Sequence, residues 1–453
     1  MSVARDFSKF ITACRYDDIP ALAIDYAAML ISSTVASAAM GFTQASSRMV
    51  RELEMQRGGT AESTLWFGGG PKLPAIAAAR VNALMSDAAA SDDSDLRNIT
   101  HPGTVLAATS LAMAETTGSS GKDVLAAIVL GYEVAGRING AVVPGLMEKG
   151  YHGCVITIFG GAAAAGLLLG LNSEQMTHAL SLAATSISGI MAAANTSTAR
   201  EHHAGLAAML GVNAAQMARL GYRAEEQIFE APRGFFFIYG QEAEASGRVA
   251  RATSDFGERW DILTEMAIKL VPGGHPHHAM GEAAANAARM AGVPPEEITA
   301  IICSRPNVRT LTGPRHPTDL IGVAHSPAYF AAASVADREF TWAHATEAKI
   351  FDPVIQRLLD VVEVGEPPSE HLESYKQGAT VTVKTRDGRS FSSTVLAPRG
   401  SAAMGIEWDD VDAKYRDLVP LAGLSKEAVR DSAKVIRNFR EIAHVSQLLG
   451  FLR

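Results

Sequence analysis

The sequence predicts a mainly α protein with two domains, a large helical domain and a smaller α+β domain. An uncharged run from Gly153 to Ser173 is centred on Gly160, Gly161 and four alanines. Because small side chains let neighbouring helices approach closely, this run indicates a helix buried at the centre of a helical domain. After residue 297, alternating apolar and polar residues indicate strands instead. A chain of 453 residues is also long for a single core.

The first 254 residues are predicted to form helices joined by polar loops, with proline or capping residues at several helix starts. The predicted helices are Ala21–Met40 ended by Gly41, Ser46–Arg57, Ala75–Met85, Pro102 to about Gly118, Lys122 to about Val142, the central helix, and a helix capped by Ser173. The three glycines at 68–70 are predicted to form a tight turn. The polar residues 90–103 are expected either to cap helices or to line a cavity.

The smaller domain is predicted from short strands with helices between them. The strands are Ile298–Ser304, Asp360–Val364, 379–385 and 390–396, and the helices are Pro327–Ala336 and Asp352–Leu359. Asp387 and Gly388 between two alternating strands are a strong hairpin signal. Beyond Gly400 the pattern is helical again, and we expect that segment to pack on the first domain. The predicted boundaries are 1–268 for the helical domain, 269–403 for the α+β domain, and 404–453 for the returning helical segment.

Composition restricts the partners and the compartment. A net charge of −8 with 19% charged residues argues against nucleic acid as the partner. The central run is rich in Gly and Ala rather than Leu, Ile or Phe, which favours a core helix over a membrane span. The N-terminal residues lack the apolar core of a signal peptide, and three widely spaced cysteines suit a reducing environment. We therefore expect a cytoplasmic protein with no membrane partner.

No cofactor fingerprint is found in the sequence, because the dinucleotide, phosphate-loop, CxxC and HExxH spacings are all absent. The His275–His278 run and the His202–His203 pair are possible metal ligands. Pro276 breaks the helical spacing of the run, however, and no further ligand completes either set, so no metal is expected. Titratable residues at helix starts, such as Tyr151 and His152, suit removal of a proton beside a carboxylate. In that reaction His is the base, and Lys or Arg stabilises the negative charge that develops.

Five motifs carry a resemblance to a known family. They are FGGGPKLPAIAAARVNA at 67–83, THPG at 100–103, YHGCVITIFGGAAAAGLLLGL at 151–171, HAGLAA at 203–208 and HSPAYFAAASVAD at 325–337. In this order they resemble the MmgE/PrpD family, whose members dehydrate, decarboxylate or epimerise small carboxylates. The resemblance implies a cofactor-free enzyme, usually a homodimer, with a large helical domain, a smaller α+β lid, and the active site between them.

The resemblance also implies the site residues. The catalytic residues it assigns are His101, His152, Lys269 and Tyr329, and the substrate-binding residues are Arg200, His203, His278, Asp92 and Asp93. His152 or His101 is expected to act as base, and Tyr329 as acid or orienting donor. Lys269 and Arg200 are expected to hold carboxylates of a small di- or tricarboxylate substrate. This scheme requires that Lys269 and Tyr329 share one chamber with the two histidines.

Three positions depart from the family pattern. Ala90 replaces the first aspartate of a polar loop unless a shift restores it as Asp92, Arg200 replaces a lysine, and Ala328 replaces a proline. Because arginine is a fixed fork that does not deliver a proton, the exchange at Arg200 favours a different carboxylate substrate. The alternatives are a catalytically divergent carboxylate-binding protein on the same scaffold, and a metal-dependent hydrolase that uses the His275–His278 run.

Overall fold

The computed structural model describes residues 2–186, 189–240 and 245–453. The chain divides into two compact units, one holding Met1–Ile268 with Glu407–Arg453 and the other holding Lys269–Ile406. The prediction of a mainly α fold with a smaller α+β part is confirmed. The predicted boundary at residue 403 lies slightly before the observed one at Ile406.

The larger unit is built from helices connected by loops and short 3-10 turns. Its N-terminal part contains α1 (Val3–Ala13), α2 (Ala21–Phe42), α3 (Ala45–Arg57), α4 (Ala75–Ala88), α5 (Pro102–Thr117), α6 (Gly121–Val142), α7 (Gly145–Glu148), α8 (Cys154–Leu168), α9 (Ser173–Ala184), α10 (Met191–Thr196), α11 (Ala199–Arg219), α12 (Phe235–Tyr239), α13 (Ala245–Thr253) and α14 (Asp261–Thr264). Two short strands, β1 (Asp93–Asp95) and β2 (Met266–Ile268), form an antiparallel pair in the same unit.

The smaller unit packs helices on a four-stranded sheet. Its elements are α15 (His275–Ala291), β3 (Ile298–Ser304), α16 (Leu320–Ala324), α17 (Pro327–Asp337), α18 (Glu347–Ile350), α19 (Pro353–Leu359), β4 (Val362–Val364), β5 (Ala379–Thr385) and β6 (Ser390–Val395). The strand order is β4-β3-β5-β6, with β3 and β4 parallel and the other neighbours antiparallel. β5 and β6 form the hairpin that Asp387 and Gly388 predict.

The C-terminal segment returns to the larger unit, as predicted. It forms α20 (Trp408–Leu418), α21 (Lys426–Arg437) and α22 (Ser446–Leu449). Lys414 of α20 is only 2% exposed, and its ammonium donates to Ser33 Oγ at 2.8 Å and to the Ser91 carbonyl. The returning segment therefore supports the loop that follows α4.

The small residues of α8 place this helix at the centre of the larger unit. A Cβ on Gly131 of α6 would lie 2.9 Å from the Gly160 carbonyl oxygen of α8. On the other side, a Cβ on Gly211 of α11 would lie 2.9 Å from the Ala162 amide nitrogen. Interiors packed at crystal-like density leave no room for these atoms, so glycine fixes the separation of α8 from both neighbours.

Local sequence signals failed at three points. Gly41 is predicted to end α2, but the helix continues past it. A Cβ at Gly41 would lie 1.7 Å from the Met85 carbonyl oxygen, so this glycine instead allows α2 and α4 to approach closely. Ser173 was expected to cap α9, yet Asn172 is the cap and its side chain accepts from the Gln175 amide. The strands β1 and β2 were not predicted, because each has only three residues.

Two helices, α2 and α6, are long and apolar enough to cross a bilayer. In the larger unit, 83% and 89% of their most apolar windows are buried. The central helix α8 has 15 residues, fewer than the roughly 20 that a span needs. Burial in the core accounts for the apolar character of all three helices.

The glycine contacts predict opposite effects for one substitution at two sites. Gly211→Ala places its methyl against backbone atoms of α8, and we expect the free energy of unfolding to fall by about 1–3 kcal/mol. The control is Gly247→Ala in α13, where the nearest atom to the new methyl is Arg251 Nη1 at 3.8 Å. Because alanine is the better helix former, we expect that control to gain up to about 1 kcal/mol. Urea unfolding measures both, and equal gains would contradict the close packing of α11 on α8.

Candidate active site

The loop between α4 and α5 carries the first site histidine and is anchored by Asp93. In the antiparallel pair, Asp93 of β1 lies opposite Ile268 of β2. Its carboxylate accepts from the amides of Gly103 at 2.9 Å and Thr104 at 3.2 Å, at the start of α5. A carboxylate satisfies the unpaired amides of a helix N-terminus and its positive end. His101 is the residue directly before this helix, so the contacts of Asp93 with the helix start also fix the backbone position of His101.

A partly buried arginine, Arg97, holds the same loop on its other side. Arg97 forms ion pairs with Asp95 and with Asp261, the latter at 2.7 Å, and donates to the Gly136 carbonyl oxygen at 2.9 Å. Asp95 and Asp261 are both at most 1% exposed. Burial lowers the pKa of Arg97, but Asp95, Asp261 and Glu265 outweigh it and hold that pKa well above its ordinary value. The guanidinium therefore stays charged and ties the loop to α6 and α14.

The His101 ring is oriented by the backbone of its own loop. Its Nδ1 lies 2.6 Å from the Asp93 carbonyl oxygen, an acceptor only, so geometry assigns the hydrogen to Nδ1. In the neutral ring, Nε2 is then the nitrogen that can accept a proton. Asp92 Oδ2 lies 3.4 Å from Nδ1, and Asp92 is 1% exposed, so a buried carboxyl group lies beside the ring.

His152 reaches this loop because of the glycine that follows it. A Cβ on Gly153 would lie 2.8 Å from Thr100 Cγ2 and 2.9 Å from its Cα. The missing side chain lets the start of α8 approach the residue before His101, and the two imidazole centroids lie 6.4 Å apart. The His152 amide donates to the Gly189 carbonyl at 2.9 Å, which fixes the backbone on its other side.

The environment of His152 favours its neutral form. Burial, then the charges of His101, His203 and Arg200, lower its pKa well below the ordinary value, and Asp92 only partly opposes them. Its Nδ1 accepts from the Cys154 amide at 3.4 Å, which assigns the hydrogen of the neutral ring to Nε2. The two histidines thus differ in tautomer.

The start of α11 contributes His203 and Arg200. The centroids of His152 and His203 lie 4.9 Å apart, and His203 Nδ1 is buried without a hydrogen-bond partner among the described residues. Arg200 donates to the Asp87 carbonyl oxygen at 2.6 Å, and its Nε lies 3.5 Å from Asp87 Oδ2. Burial lowers the pKa of Arg200, but Asp87, Asp92 and Glu201 outweigh it and raise that pKa overall.

Among the described residues, two groups of side chains have ligand atoms close enough to be considered for a metal. His152, Cys154 and His203 form one group, and Asp87, Asp92 and His101 form the other, with ligand atoms within 4.8 Å of one another in each. Burial raises the pKa of the Cys154 thiol to about 12, so the first group presents no thiolate. The partly buried Arg200 beside both groups opposes a cation. The groups therefore fit proton transfer better than metal binding.

The remaining predicted site residues belong to the smaller unit. Lys269 is 3% exposed and directly follows Ile268, the β2 residue paired with Asp93. His278 is 7% exposed, in the first turn of α15. Tyr329 is fully buried, and its hydroxyl donates to the His344 carbonyl at 2.9 Å, which favours a structural role. That these side chains meet the histidines of the larger unit stays a prediction.

The metal-dependent hydrolase is not supported by the geometry of the His275–His278 run. In the described part of the chain, none of the groups of three converging metal-ligand atoms includes these histidines. The rings of His275 and His278 pack at a tilt of 50° with centroids 4.7 Å apart, while the His277 ring centroid lies 5.5 Å from that of Phe330.

Two predicted substrate ligands have other contacts. Asp93 uses both carboxylate oxygens for the α5 cap, and Asp92 accepts from the Thr104 hydroxyl at 3.2 Å. This favours structural roles, and a role in substrate binding stays a prediction for both. Because Asp92 lies beside His101, the loop still supplies a carboxylate despite Ala90. Sequence reasoning missed Asp87, whose only signal was an acidic residue in the Ala-rich run of α4.

Comparisons with known proteins match this chain to one protein family. The MmgE/PrpD N-terminal domain matches residues 5–247, and the MmgE/PrpD C-terminal domain matches residues 272–440. The chain is 27% identical to cis-aconitate decarboxylase of Homo sapiens, over 100% of this chain and 95% of that protein. It is 26% identical to cis-aconitate decarboxylases of Mus musculus, over 86% and 81%, and of Aspergillus terreus, over 85% and 82%.

The described residues form a two-unit, mainly α protein whose larger unit holds a cluster of three histidines, His101, His152 and His203. The two domain matches cover most of the chain, and the protein belongs to the MmgE/PrpD family. The resemblance found in the sequence motifs is thereby confirmed.

The Arg200–Asp87 pair predicts a strong dependence of stability on both partners. Arg200→Met removes the positive charge that faces the buried Asp87 carboxylate, and we expect the free energy of unfolding to fall by about 3–5 kcal/mol. The double variant Arg200→Met/Asp87→Leu removes both charges and should recover most of that loss. Chemical unfolding of the four members of the cycle measures the coupling. Additive losses would show that the pair is not formed.

The lowered pKa of His152 predicts a pH-dependent stability. The unfolded chain binds a proton at this histidine below about pH 6.5, whereas the folded chain does not. Its contribution is therefore fully present above that pH, and stability falls as pH decreases, by about 1.4 kcal/mol per unit. We expect His152→Gln to lose less stability than the parent between pH 7.5 and 5.5. Identical losses in urea unfolding would contradict the assignment of a neutral His152.

Proposed function

We propose that the protein is a lyase that moves one proton at a carbon beside a carboxylate of a small di- or tricarboxylate. The observation that carries the proposal is the orientation of the His101 ring. With Nδ1 held by the Asp93 carbonyl oxygen, Nε2 is the nitrogen that gives a proton to substrate or takes one from it. The relatives named cis-aconitate decarboxylase support a decarboxylase on this scaffold.

For cis-aconitate, the proposed step loses carbon dioxide and gains a proton. The bond to the carboxylate of the saturated arm breaks, and its electron pair forms a new double bond to the central carbon. The electron pair of the old double bond takes a proton at the far carbon, delivered by protonated His101 from Nε2. The Asp92 carboxyl group lies 3.4 Å from Nδ1 of that ring. Dehydration or epimerisation would use the same atom in the reverse sense, as a base.

His152 has a different role in this proposal. As a neutral ring with its hydrogen on Nε2, it donates to negative charge that develops on the substrate. Lys269 is proposed to hold a substrate carboxylate, because the Arg200 charge is already opposed by Asp87. The resemblance supports the further proposals that the enzyme needs no cofactor, is a homodimer and acts in the cytoplasm.

The alternative of a carboxylate-binding protein without catalysis is the weaker proposal. The features that favoured it were Ala90 and Arg200. The described part of the site nevertheless keeps both histidines, a carboxylate beside His101 and the partly buried Arg200. Incubation of candidate acids in deuterated water separates the two, because a protein that only binds leaves substrate hydrogens unexchanged.

The two histidines should respond differently to substitution. His101→Gln removes the proton carrier, and we expect turnover of cis-aconitate to fall by about 10²–10⁴-fold. His152→Gln keeps an N–H donor and should lose less turnover than His152→Ala, which removes the donor at a cost of about 10²–10³-fold. The assay is release of carbon dioxide with deuterium incorporation at one carbon of the product. Full activity of a folded His101→Gln variant would refute the proposal.

A further inference from the structure

The smaller unit contains a cavity of about 210 Å³ at the end of β3. Its walls come from the first turn of α15, the loop after β3 and the start of α17, and include His277, Arg305, Asn307 and Thr310. All the lining residues lie in the smaller unit. Pockets for drug-sized ligands hold roughly 300–1,000 Å³, so this cavity suits a small organic acid rather than a nucleotide.

Arg305 brings an unopposed positive charge to this cavity. One guanidinium nitrogen donates to Gln377 Oε1 at 2.8 Å, while Nε is buried and has no hydrogen-bond partner in the described part of the chain. Burial lowers the pKa of Arg305, and no acidic group raises it in return. A partly buried cation and a buried N–H without a partner each cost free energy, and an anion placed against the guanidinium relieves both costs.

The groups beside Arg305 also favour an anion in the cavity. His277 lines the cavity with a buried Nδ1 that has no partner among the described residues. Burial, Arg305 and His325 lower the pKa of His277 to about 3, so the ring is neutral and offers one N–H. The loop from Arg305 to His316, RPNVRTLTGPRH, contains three arginines and no acidic residue. Donors and positive charge therefore line part of the cavity, beside the apolar side chains of Met280, Val308 and Leu311.

We propose that this cavity binds a carboxylate of a small organic acid, with the Arg305 guanidinium as its principal ligand and His277 as a neutral donor. The planar fork of arginine matches the two oxygens of a carboxylate. The carboxylate comes either from the substrate or from a second acid. Only the first source rests on the proposed function, because binding itself requires no catalysis.

The test is calorimetric titration of the full-length protein with tricarballylate, a saturated tricarboxylate without the double bond that the proposed decarboxylation uses. We expect Arg305→Gln to weaken binding at one site by at least tenfold, the loss typical of a charge-assisted hydrogen bond. Arg305→Lys keeps the positive charge but not the planar guanidinium, and its affinity for tricarballylate should fall less than that of Arg305→Gln. The control is Arg386→Gln, which removes the same charge from an exposed residue outside the cavity and should change affinity by less than threefold.

Stoichiometry and kinetics distinguish the two sources. One site per chain, together with a raised KM in Arg305→Gln, identifies the cavity as part of the substrate site. Two sites per chain with an unchanged KM identify a site for a second acid. If the protein has no turnover at all, the titration still tests whether the cavity binds a carboxylate.

Two results would overturn the proposal. One is unchanged affinity and stoichiometry in a folded Arg305→Gln variant, and the other is the absence of tricarballylate binding to the parent protein. Tighter binding of inorganic phosphate than of tricarballylate, lost in the same variant, would overturn the assignment to a carboxylate.

Discussion

The candidate site depends on the way Asp93 uses its polar groups. Its carboxylate caps α5 through the amides of Gly103 and Thr104, and its carbonyl oxygen holds His101 Nδ1. One residue therefore fixes both the position of the helix and the tautomer of the histidine that begins it. The Arg97 clamp and the pairing of β1 with β2 prevent the residue from turning away. A small shift here would move the reactive nitrogen as well as the backbone.

Two histidines whose centroids are 6.4 Å apart are thereby given different chemistry by their surroundings. His101 lies beside the carboxylate of Asp92 and has Nδ1–H engaged, which leaves Nε2 for proton transfer. His152 is buried near positive charge and stays neutral with its hydrogen on Nε2. Separate acid and donor roles are usually assigned when the surroundings of two neighbouring titratable groups favour different protonation states. The motifs alone gave no way to choose between the two rings.

Much of the fold follows from local patterns, while the site does so only in part. The long helices, the hairpin and the return of the C-terminal segment are encoded by periodicity, caps and turn residues. Gly41 and Gly153 show the limit, because each glycine is required by a segment distant in sequence that comes within 3 Å of where its Cβ would be. The local sequence around either glycine does not reveal the segment that packs against it. Asp87 was missed for the same reason, since only the fold brings Arg200 to it.

The exchange of lysine for arginine at position 200 has a physical consequence for substrate binding. A guanidinium holds Asp87 through both its carbonyl and its carboxylate, so much of its charge is already opposed before a ligand arrives. Arg305, in contrast, has an amide oxygen as its hydrogen-bond partner, and burial lowers its pKa with no carboxylate to raise it in return. An incoming carboxylate gains more from a cation that lacks an opposing charge than from one already paired, since pairing reduces the field that the anion experiences. On this argument the cavity beside β3 is the better place for a carboxylate to gain free energy than the arginine of α11.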